Sequence, residues 1–411
     1  MLVALACAPA SAQSWDDVKA AWTAQGISPA ILYQGDTAAN LLGGAKRGVA
    51  YSGNLHGQLS LDGGQLLGVP GLTAFADGLS VHGGQPSGLS GDAQGISNIA
   101  APATVELYEA WIQYNFPGNW ISLLAGRYDI NTEFYRLRAA DLFLNSSFGI
   151  GPELSQSGFA GPSTFPDTSA GLRITYKPTP NIIVRAAALT GAPVDSALGG
   201  ARPTAPDSGA LLVGEVAFLD RPGPDMPPGM MRSLIGRAPT LAPYDDKIAL
   251  GGWYYTASFP DLSEAGASGP LRHRGSGGAY LIAEKLLYAP ADNSAERVST
   301  FLQAGLGDDR VDRFGAYLGF GATATGFVPG RPNDQFGFGF AMGRNGSHFM
   351  ESQASAGIAE KGAETAFEAT YLAQITDWLA VQPDLQYVVH PNTDPKTRDA
   401  LVFQLQFEVS L

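Results

Sequence analysis

Few side chains in this sequence are spaced for bond-breaking chemistry. The five histidines, His56, His82, His273, His348 and His390, are scattered with no H-x-x-x-H pair, and the single cysteine, Cys7, excludes any C-x-x-C. No structural zinc set is therefore encoded. There is no G-x-S-x-G elbow, no P-loop, and no G-x-G-x-x-G between a strand and a helix. The run Asp308-Asp309-Arg310-Val311-Asp312 has the oxygens for a Ca²⁺ but reads better as an acidic hairpin. Between positions 105 and 185 the chain instead offers Glu109, Gln113, Arg127, Asp129, Glu133, Asn145, Arg173 and Arg185, with Trp111 among them. Carboxylates accept hydrogen bonds, guanidinium donates them in a fixed fork, and an indole presents an apolar plate. Such groups hold a polar solute weakly. No catalytic residue, metal or cofactor is expected.

The elements that position these groups are strands. From Leu401 the odd positions read Leu401, Phe403, Leu405, Phe407, Val409 and Leu411, and the even ones Val402, Gln404, Gln406, Glu408 and Ser410. Alternation over eleven residues is long for a globular strand and suits a tilted membrane strand of ~9–11 residues. The two preceding segments repeat it: Val381, Leu385, Tyr387 and Val389 oppose Gln382, Asp384, Gln386 and His390, and Phe367, Tyr371 and Ile375 oppose Glu368, Thr370 and Gln374. The polar face carries Gln, Glu and Asp, as a wet lumen requires. Aromatics recur near strand ends (Tyr114, Trp120, Tyr128, Tyr176, Tyr288, Trp378), where interfacial girdles sit.

Read backwards, the chain holds sixteen such strands, near 30–38, 48–60, 70–80, 104–116, 119–129, 169–177, 181–190, 209–219, 247–257, 277–288, 297–307, 313–323, 334–343, 364–375, 379–390 and 400–411. An even number puts both termini on one side. Tight links at 117–119, 178–180 and 376–378 alternate with long ones at 81–103, 130–168, 191–208 and 344–363; the Pro/Met-rich stretch 220–246 breaks that asymmetry and has no assigned role. The fold class is thus all-β: a transmembrane antiparallel barrel of about sixteen strands, with short periplasmic turns and long extracellular loops.

Composition agrees. Of 411 residues 45% are hydrophobic and 15% charged, and the mean hydropathy is zero, an average over two opposed faces. The 52 glycines, about 13% of the chain against a usual ~7%, are spread along it, as bending strands and loop joints need. A net charge of −13 and a pI near 4.8 exclude a nucleic-acid surface. Residues 1–12 read as the end of a secretory signal with Ala10-Ser11-Ala12 as cleavage site, which would remove Cys7. Residues 13–29 read as a short periplasmic segment with an amphipathic helix over Trp15 to Gly26, and 30–411 as the barrel.

Three runs follow in order from residue 107: Leu107-Tyr-Glu-Ala-Trp-Ile-Gln, Leu124-Ala-Gly-Arg-Tyr-Asp-Ile-Asn-Thr-Glu-Phe, and Leu142-Phe-Leu-Asn-Ser-Ser-Phe-Gly-Ile-Gly-Pro-Glu-Leu-Ser-Gln-Ser-Gly. Together with Tyr33-Gln-Gly-Asp-Thr-Ala-Ala-Asn and the C-terminal strands, they resemble the carbohydrate-selective porins of the OprB family. One departure is the last residue, Leu411, where such barrels usually end in Phe. The resemblance implies a sixteen-stranded barrel in a Gram-negative outer membrane, passing glucose and other sugars by passive diffusion. It also implies outer-membrane lipid, lipopolysaccharide and the barrel-assembly machinery as partners, and a barrel that acts as a monomer.

A pore for sugars needs hydrogen-bonding groups to replace water and contacts weak enough to release the solute. If Tyr108, Ala110, Ile112 and Tyr114 face lipid, Glu109, Trp111 and Gln113 face the lumen, and Leu172, Ile174 and Tyr176 outward put Arg173 and Thr175 inside. Arg127 and Asp129 lead into the 130–168 loop, which carries Glu133, Arg136, Arg138, Asp141 and Asn145. That loop is expected to fold inward and narrow the pore, with Glu133 and the Arg residues at the eyelet. Trp111 is weighed as a sugar plate against a packing role. Arg185, Glu215, Arg344 and Glu368 are further lumen candidates, because an Arg or Lys on the lipid face costs about 2–4 kcal/mol at mid-membrane. Rival readings are a general or acid-solute pore, an outer-membrane barrel enzyme such as a lipid hydrolase, and an exported β-sandwich lectin.

Overall fold

Strands with one greasy and one wet face satisfy both faces, and all their backbone groups, by closing on themselves. The computed structural model describes residues 15–193, 208–223, 244–266, 269–291 and 295–411 and is a closed antiparallel barrel of sixteen strands. They are β1 (Ile27–Gly44), β2 (Gly48–Asp62), β3 (Leu72–Gly83), β4 (Thr104–Asn115), β5 (Ile121–Tyr128), β6 (Ser169–Thr179), β7 (Ile182–Thr190), β8 (Ala210–Leu219), β9 (Asp246–Gly266), β10 (Gly269–Tyr288), β11 (Arg297–Gly307), β12 (Phe314–Thr325), β13 (Gln335–Asn345), β14 (Ala363–Gln374), β15 (Leu379–Val389) and β16 (Arg398–Ser410). Every strand pairs with its neighbours in sequence, and β1 meets β16 from Leu32↔Ser410 to Gly44↔Arg398 to close the ring. No helix among the described residues is long and apolar enough to cross a membrane.

The two faces separate as the alternation predicts. Phe403, Leu405, Leu385 and Phe367 are exposed, while Gln404, Gln406, Glu408, Gln386 and Glu368 are buried inside. Three local departures have physical causes. β1 starts at Ile27, so the segment before it holds only the helix Trp15–Thr23 and a turn. β9 and β10 run on to Gly266 and back from Gly269, where the sequence pattern indicates a loop. Beyond the apolar belt, strands pair without needing alternation, so Leu271, Arg272 and Arg274 stand exposed there. In β4 the register slips between Asp77↔Glu109 and Gly78↔Leu107, leaving Tyr108 as an extra residue. This bulge turns Tyr108 inward, so it is 5% exposed and does not face lipid. The expected secretory signal at 1–12 and most of the 220–246 stretch lie outside the described residues.

Both termini share one end of the barrel with the links 63–71, 116–120, 180–181, 220–245, 289–296, 326–334 and 375–378. The opposite, loop end carries 84–103, 129–168 and 346–362, but also the two shortest outer links, 45–47 and 267–268. At that end one carboxylate fastens the protruding β9–β10 hairpin. Asp261 of β9 accepts from His273 Nε2 of β10 at 2.7 Å and from His348 Nδ1, on the helix Ser347–Ser355, at 3.0 Å. The backbone N–H groups of Ser263 and Glu264 donate to it at 2.8 Å each. Burial alone would raise this carboxyl, but those N–H groups and the two imidazoles hold it well below the usual carboxylate range. The bond to Asp261 in turn raises His348 above an ordinary histidine.

The signs set a window. Asp261 contributes stability above about pH 4, lost as pH falls through its depressed folded value. His348 contributes fully below about pH 6.5, lost as pH rises through its raised folded value. Amide exchange of residues 347–355, corrected for intrinsic rates, is therefore expected to be slowest near pH 5–6.5 and to speed up as pH rises further. His348→Gln should flatten that profile. Protection that stays level up to pH 9 in the wild type would contradict this latch.

Candidate functional site

The 129–168 link lies inside the barrel because its own sequence folds it into a compact apolar wedge. Asp129 caps the short turn Ile130–Thr132 and Asn145 caps Ser146–Phe148. Around these caps Phe134, Tyr135, Leu137, Leu142, Phe143 and Phe148 are all buried. Tyr135 meets Tyr280 of the wall with ring centroids 4.3 Å apart, and Phe143 and Phe148 meet Phe301 at 5.5 and 5.8 Å. Small wall residues make the room. A Cβ on Gly337 would lie 2.8 Å from Leu142, and one on Gly339 2.7 Å from Phe148.

A buried loop also has backbone groups to satisfy, and polar wall side chains satisfy them. Glu215 of β8 accepts from Tyr135 N at 3.0 Å, and Glu284 of β10 from Ala139 N at 3.1 Å. Glu368 of β14 accepts from Leu144 N at 2.6 Å and Asn145 N at 3.0 Å. Gln382 Nε2 donates to Leu142 O at 2.7 Å, Gln303 Nε2 to Phe148 O at 2.8 Å, and Lys247 Nζ to Arg136 O at 2.8 Å. The 84–103 link is held in the same way. Glu364 accepts from Ala93 N and Gln94 N at 2.8 and 2.9 Å, and Gln386 and Gln404 both donate to Ile96 O at 2.8 Å.

Charge runs through these anchors. Arg173 Nε donates to Glu133 Oε2 at 2.8 Å, its Nη2 to Gln113 Oε1 at 2.5 Å and its Nη1 to Ser122 Oγ at 2.8 Å. Arg185 lies 3.8 Å from both Glu133 and Glu215, and Lys247 3.7 Å from Glu215. On the other side of the loop a cavity of about 210 Å³ remains. Gln34, Asn54, His56 and Gln406 of the wall line it, with Tyr108 and Glu109 of the β4 bulge, and Asp129, Arg136 and Asp141 of the loop. Asn54 Oδ1, His56 Nε2 and Gln406 Oε1 are buried there without a hydrogen-bond partner.

The family model for carbohydrate-selective porins of the OprB family matches residues 46–411, nearly nine-tenths of the 411-residue chain. The chain belongs to the OprB family. No curated protein matches the sequence. Among solved structures, the OprB-family barrel is similar to OprB of Pseudomonas putida at high pH, with 20% identity, 97% of each chain covered and a TM-score of 0.82. It is less similar to the low-pH structure of the same protein, with 18% identity, coverage of 97% and 96%, and a TM-score of 0.58. The outer-membrane channel DcaP of Acinetobacter baumannii follows with 10% identity, coverage of 94% and 97%, and a TM-score of 0.52. This OprB-family chain is an outer-membrane porin for passive, carbohydrate-selective diffusion.

Within this OprB-family barrel the residues singled out from sequence fall in several places. Glu109 and Asp129 line the cavity; Asp129 N donates to Glu109 Oε1 at 2.9 Å, and Tyr108 OH to Asp129 Oδ2 at 2.6 Å. Gln113, Glu133, Arg173, Arg185 and Glu215 form the charged chain at the root of the loop, and Glu368 and Asn145 form an anchor. Trp111 stacks on Phe75 at 5.1 Å in the wall and does not line the cavity. Arg127 and Arg344 do not point into the lumen. Arg127 pairs opposite Ala110 and Ala170 on the outward parity, and its guanidinium is held in the wall by Thr168 Oγ1 at 2.8 Å and Glu106 at 3.8 Å. Arg344 follows Phe336 and Phe338 on the outward face of β13 and is exposed at the loop end, where a charge is solvated.

Sequence reasoning missed Gln34, Asn54, Gln406 and Tyr108 as cavity residues. The first three stood on legible polar faces of β1, β2 and β16; Tyr108 was hidden by the bulge. The Asp308–Asp312 run is an acidic turn whose carboxylates serve local donors: Asp308 holds Arg310, Asp309 holds Ser347, and Asp312 accepts from Gly158 N and Ser276 Oγ.

Replacing Glu368 with Ala orphans two buried N–H groups at about 1–3 kcal/mol each. The expected outcome is a less stable barrel whose single-channel current in planar bilayers is larger and noisier. Glu368→Gln, keeping one acceptor, should fall between. Wild-type conductance and noise in Glu368→Ala would show that the loop does not depend on this anchor.

Proposed function

We propose that sugar passes through the crescent between the 129–168 loop and the wall of β1, β2, β4 and β16, and is held there briefly by Asn54, His56, Gln406, Glu109 and Asp129. The observation that carries this reading is the cavity itself. Wall side chains on the far side of the loop turn to its backbone, while the crescent leaves about 210 Å³ lined by Asn54, His56 and Gln406, whose Oδ1, Nε2 and Oε1 have no hydrogen-bond partner among the described residues. Sugar hydroxyls donate to such acceptors, and Arg136, tied to Asp141 at 2.9 Å, supplies a fixed donor nearby. His56 Nδ1 is fixed on Asp77 at 2.9 Å, so its Nε2 faces the crescent as the remaining polar atom. Carboxylates of Glu109, Asp129 and Asp141 in the lining weigh against an acid-solute pore. The hydrogen-bonding groups of the lining suit weak, reversible holding of a solute that diffuses through.

In this reading the termini and short turns face the periplasm and the long loops the exterior. The barrel-assembly machinery inserts the chain, whose β1–β16 seam closes the barrel within one chain, and the barrel works as a monomer. Glucose is the probe solute. Concentration-dependent reduction of single-channel current by glucose is expected in the wild type. Asn54→Ala and Gln406→Ala should each weaken the block by roughly fivefold, the value of one hydrogen bond of about 1 kcal/mol. Arg127→Ala and Arg344→Ala should leave it unchanged. Normal block in the first pair together with lost block in the second would move the sugar path elsewhere.

A further inference from the structure

One wholly buried carboxylate lies behind the crescent and does not line it. The inward face of β3 reads Phe75, Asp77, Leu79 and Val81, all buried, so Asp77 is a lone acid in an apolar row. It stands directly opposite Glu109 of β4, and like charges so placed cost stability. Its partners are on β2. Oδ2 accepts from His56 Nδ1 at 2.9 Å and from Gln58 Nε2 at 3.1 Å, while Oδ1 has no hydrogen-bond partner among the described residues. His56 and Gln58 are two residues apart on one strand face, so they close on the carboxylate as a pair.

The consequence falls on His56. An ionised carboxylate only accepts, so a neutral imidazole bonded to it carries its proton on Nδ1. Nε2 then has a lone pair and no hydrogen. It is buried without a hydrogen-bond partner among the described residues. Tyr108 meets the His56 ring edge-on, with centroids 5.8 Å apart, but gives its hydroxyl proton to Asp129 Oδ2 at 2.6 Å. Glu109 is engaged as well, accepting from Asp129 N at 2.9 Å. Nε2 therefore opens on the crescent, beside Asn54 and Gln406, as an acceptor awaiting a donor.

We propose that Asp77 is a positioning residue for sugar transit: by holding the proton of His56 on Nδ1, it keeps Nε2 an acceptor for a sugar hydroxyl. This rests on the reading of the crescent as the sugar path and adds a chemical requirement to it. The solute must offer a free hydroxyl donor at this point; one whose polar groups only accept finds no bond there. Asp77 touches no solute and acts through His56 alone. With Asn at position 77 the side-chain amide can offer a hydrogen to Nδ1, which puts the imidazole proton on Nε2 and turns the acceptor into a donor.

The test has two arms, both on the full-chain barrel. In the first, heteronuclear NMR of the imidazole nitrogens is recorded in detergent at about pH 8, where an ordinary imidazole is neutral. The His56 signal, assigned by its loss in His56→Gln, should show a proton on Nδ1 alone. A proton on Nε2 alone, or on both nitrogens, would overturn the proposal, and this reading comes from the unaltered chain, so folding of a variant does not decide it. The second arm is a double-mutant cycle read as block of single-channel current by glucose. Asp77→Asn and His56→Gln should each weaken the block by roughly fivefold. The double variant should lose no more than roughly fivefold, because a residue acting only through His56 has nothing to position once His56 is gone. Losses that multiply to roughly twenty-five-fold, or normal block in Asp77→Asn, would overturn the proposal. Normal block in His56→Gln beside weakened block in Asn54→Ala would overturn it too and leave the crescent path standing; normal block in both would remove the path as well.

Discussion

A backbone N–H placed in the middle of a barrel must find an acceptor, and in this protein the wall provides it. Glu215, Glu284, Glu364 and Glu368 turn carboxylates toward amides of the two infolded loops, while Gln303, Gln382, Gln386 and Gln404 turn amide donors toward their carbonyls. This requirement explains why inward strand positions carry long polar side chains. It also explains the glycines opposite the loop, since Gly337 and Gly339 let Leu142, Phe143 and Phe148 come close enough for those bonds to form.

The proposed sugar path follows the side of the loop where wall and loop part. Where wall and loop bond to each other, the wall's carboxylates and amides turn to the loop backbone. Where they part, beside β1, β2, β4 and β16, acceptors remain open around a small cavity. The bulge at Tyr108 belongs to the same design, because it brings two successive residues, Tyr108 and Glu109, to the inner face at the point where the loop begins. Charge is gathered as well: cations Arg173, Arg185 and Lys247 meet at the root of the loop among carboxylates.

The barrel was legible in the sequence because a membrane strand is apolar and polar at alternate positions over its whole length. Phe403 and Gln404 show this alternation as plainly as any pair. The site was less legible, for two reasons. Alternation tells which face a residue takes only until a bulge shifts the phase, which is how Tyr108 escaped. It also cannot tell an inward carboxylate that lines open space from one enclosed by the loop; Glu109, which accepts from Asp129 N and also borders the cavity, and Glu368, which accepts from Leu144 N and Asn145 N, look alike in sequence. Arg344 illustrates a third limit. The preference for placing strand charges inside holds at mid-membrane and lapses at the rim, where water solvates the charge.

The central claim is that the 129–168 loop is a bonded part of the wall and not a mobile plug. Amide hydrogen exchange on the wild-type barrel in lipid bilayers tests it directly. The amides of Tyr135, Ala139, Leu144 and Asn145 should exchange as slowly as those of the barrel strands. Exchange as fast as that of the exposed turn amides in 390–397 would contradict it.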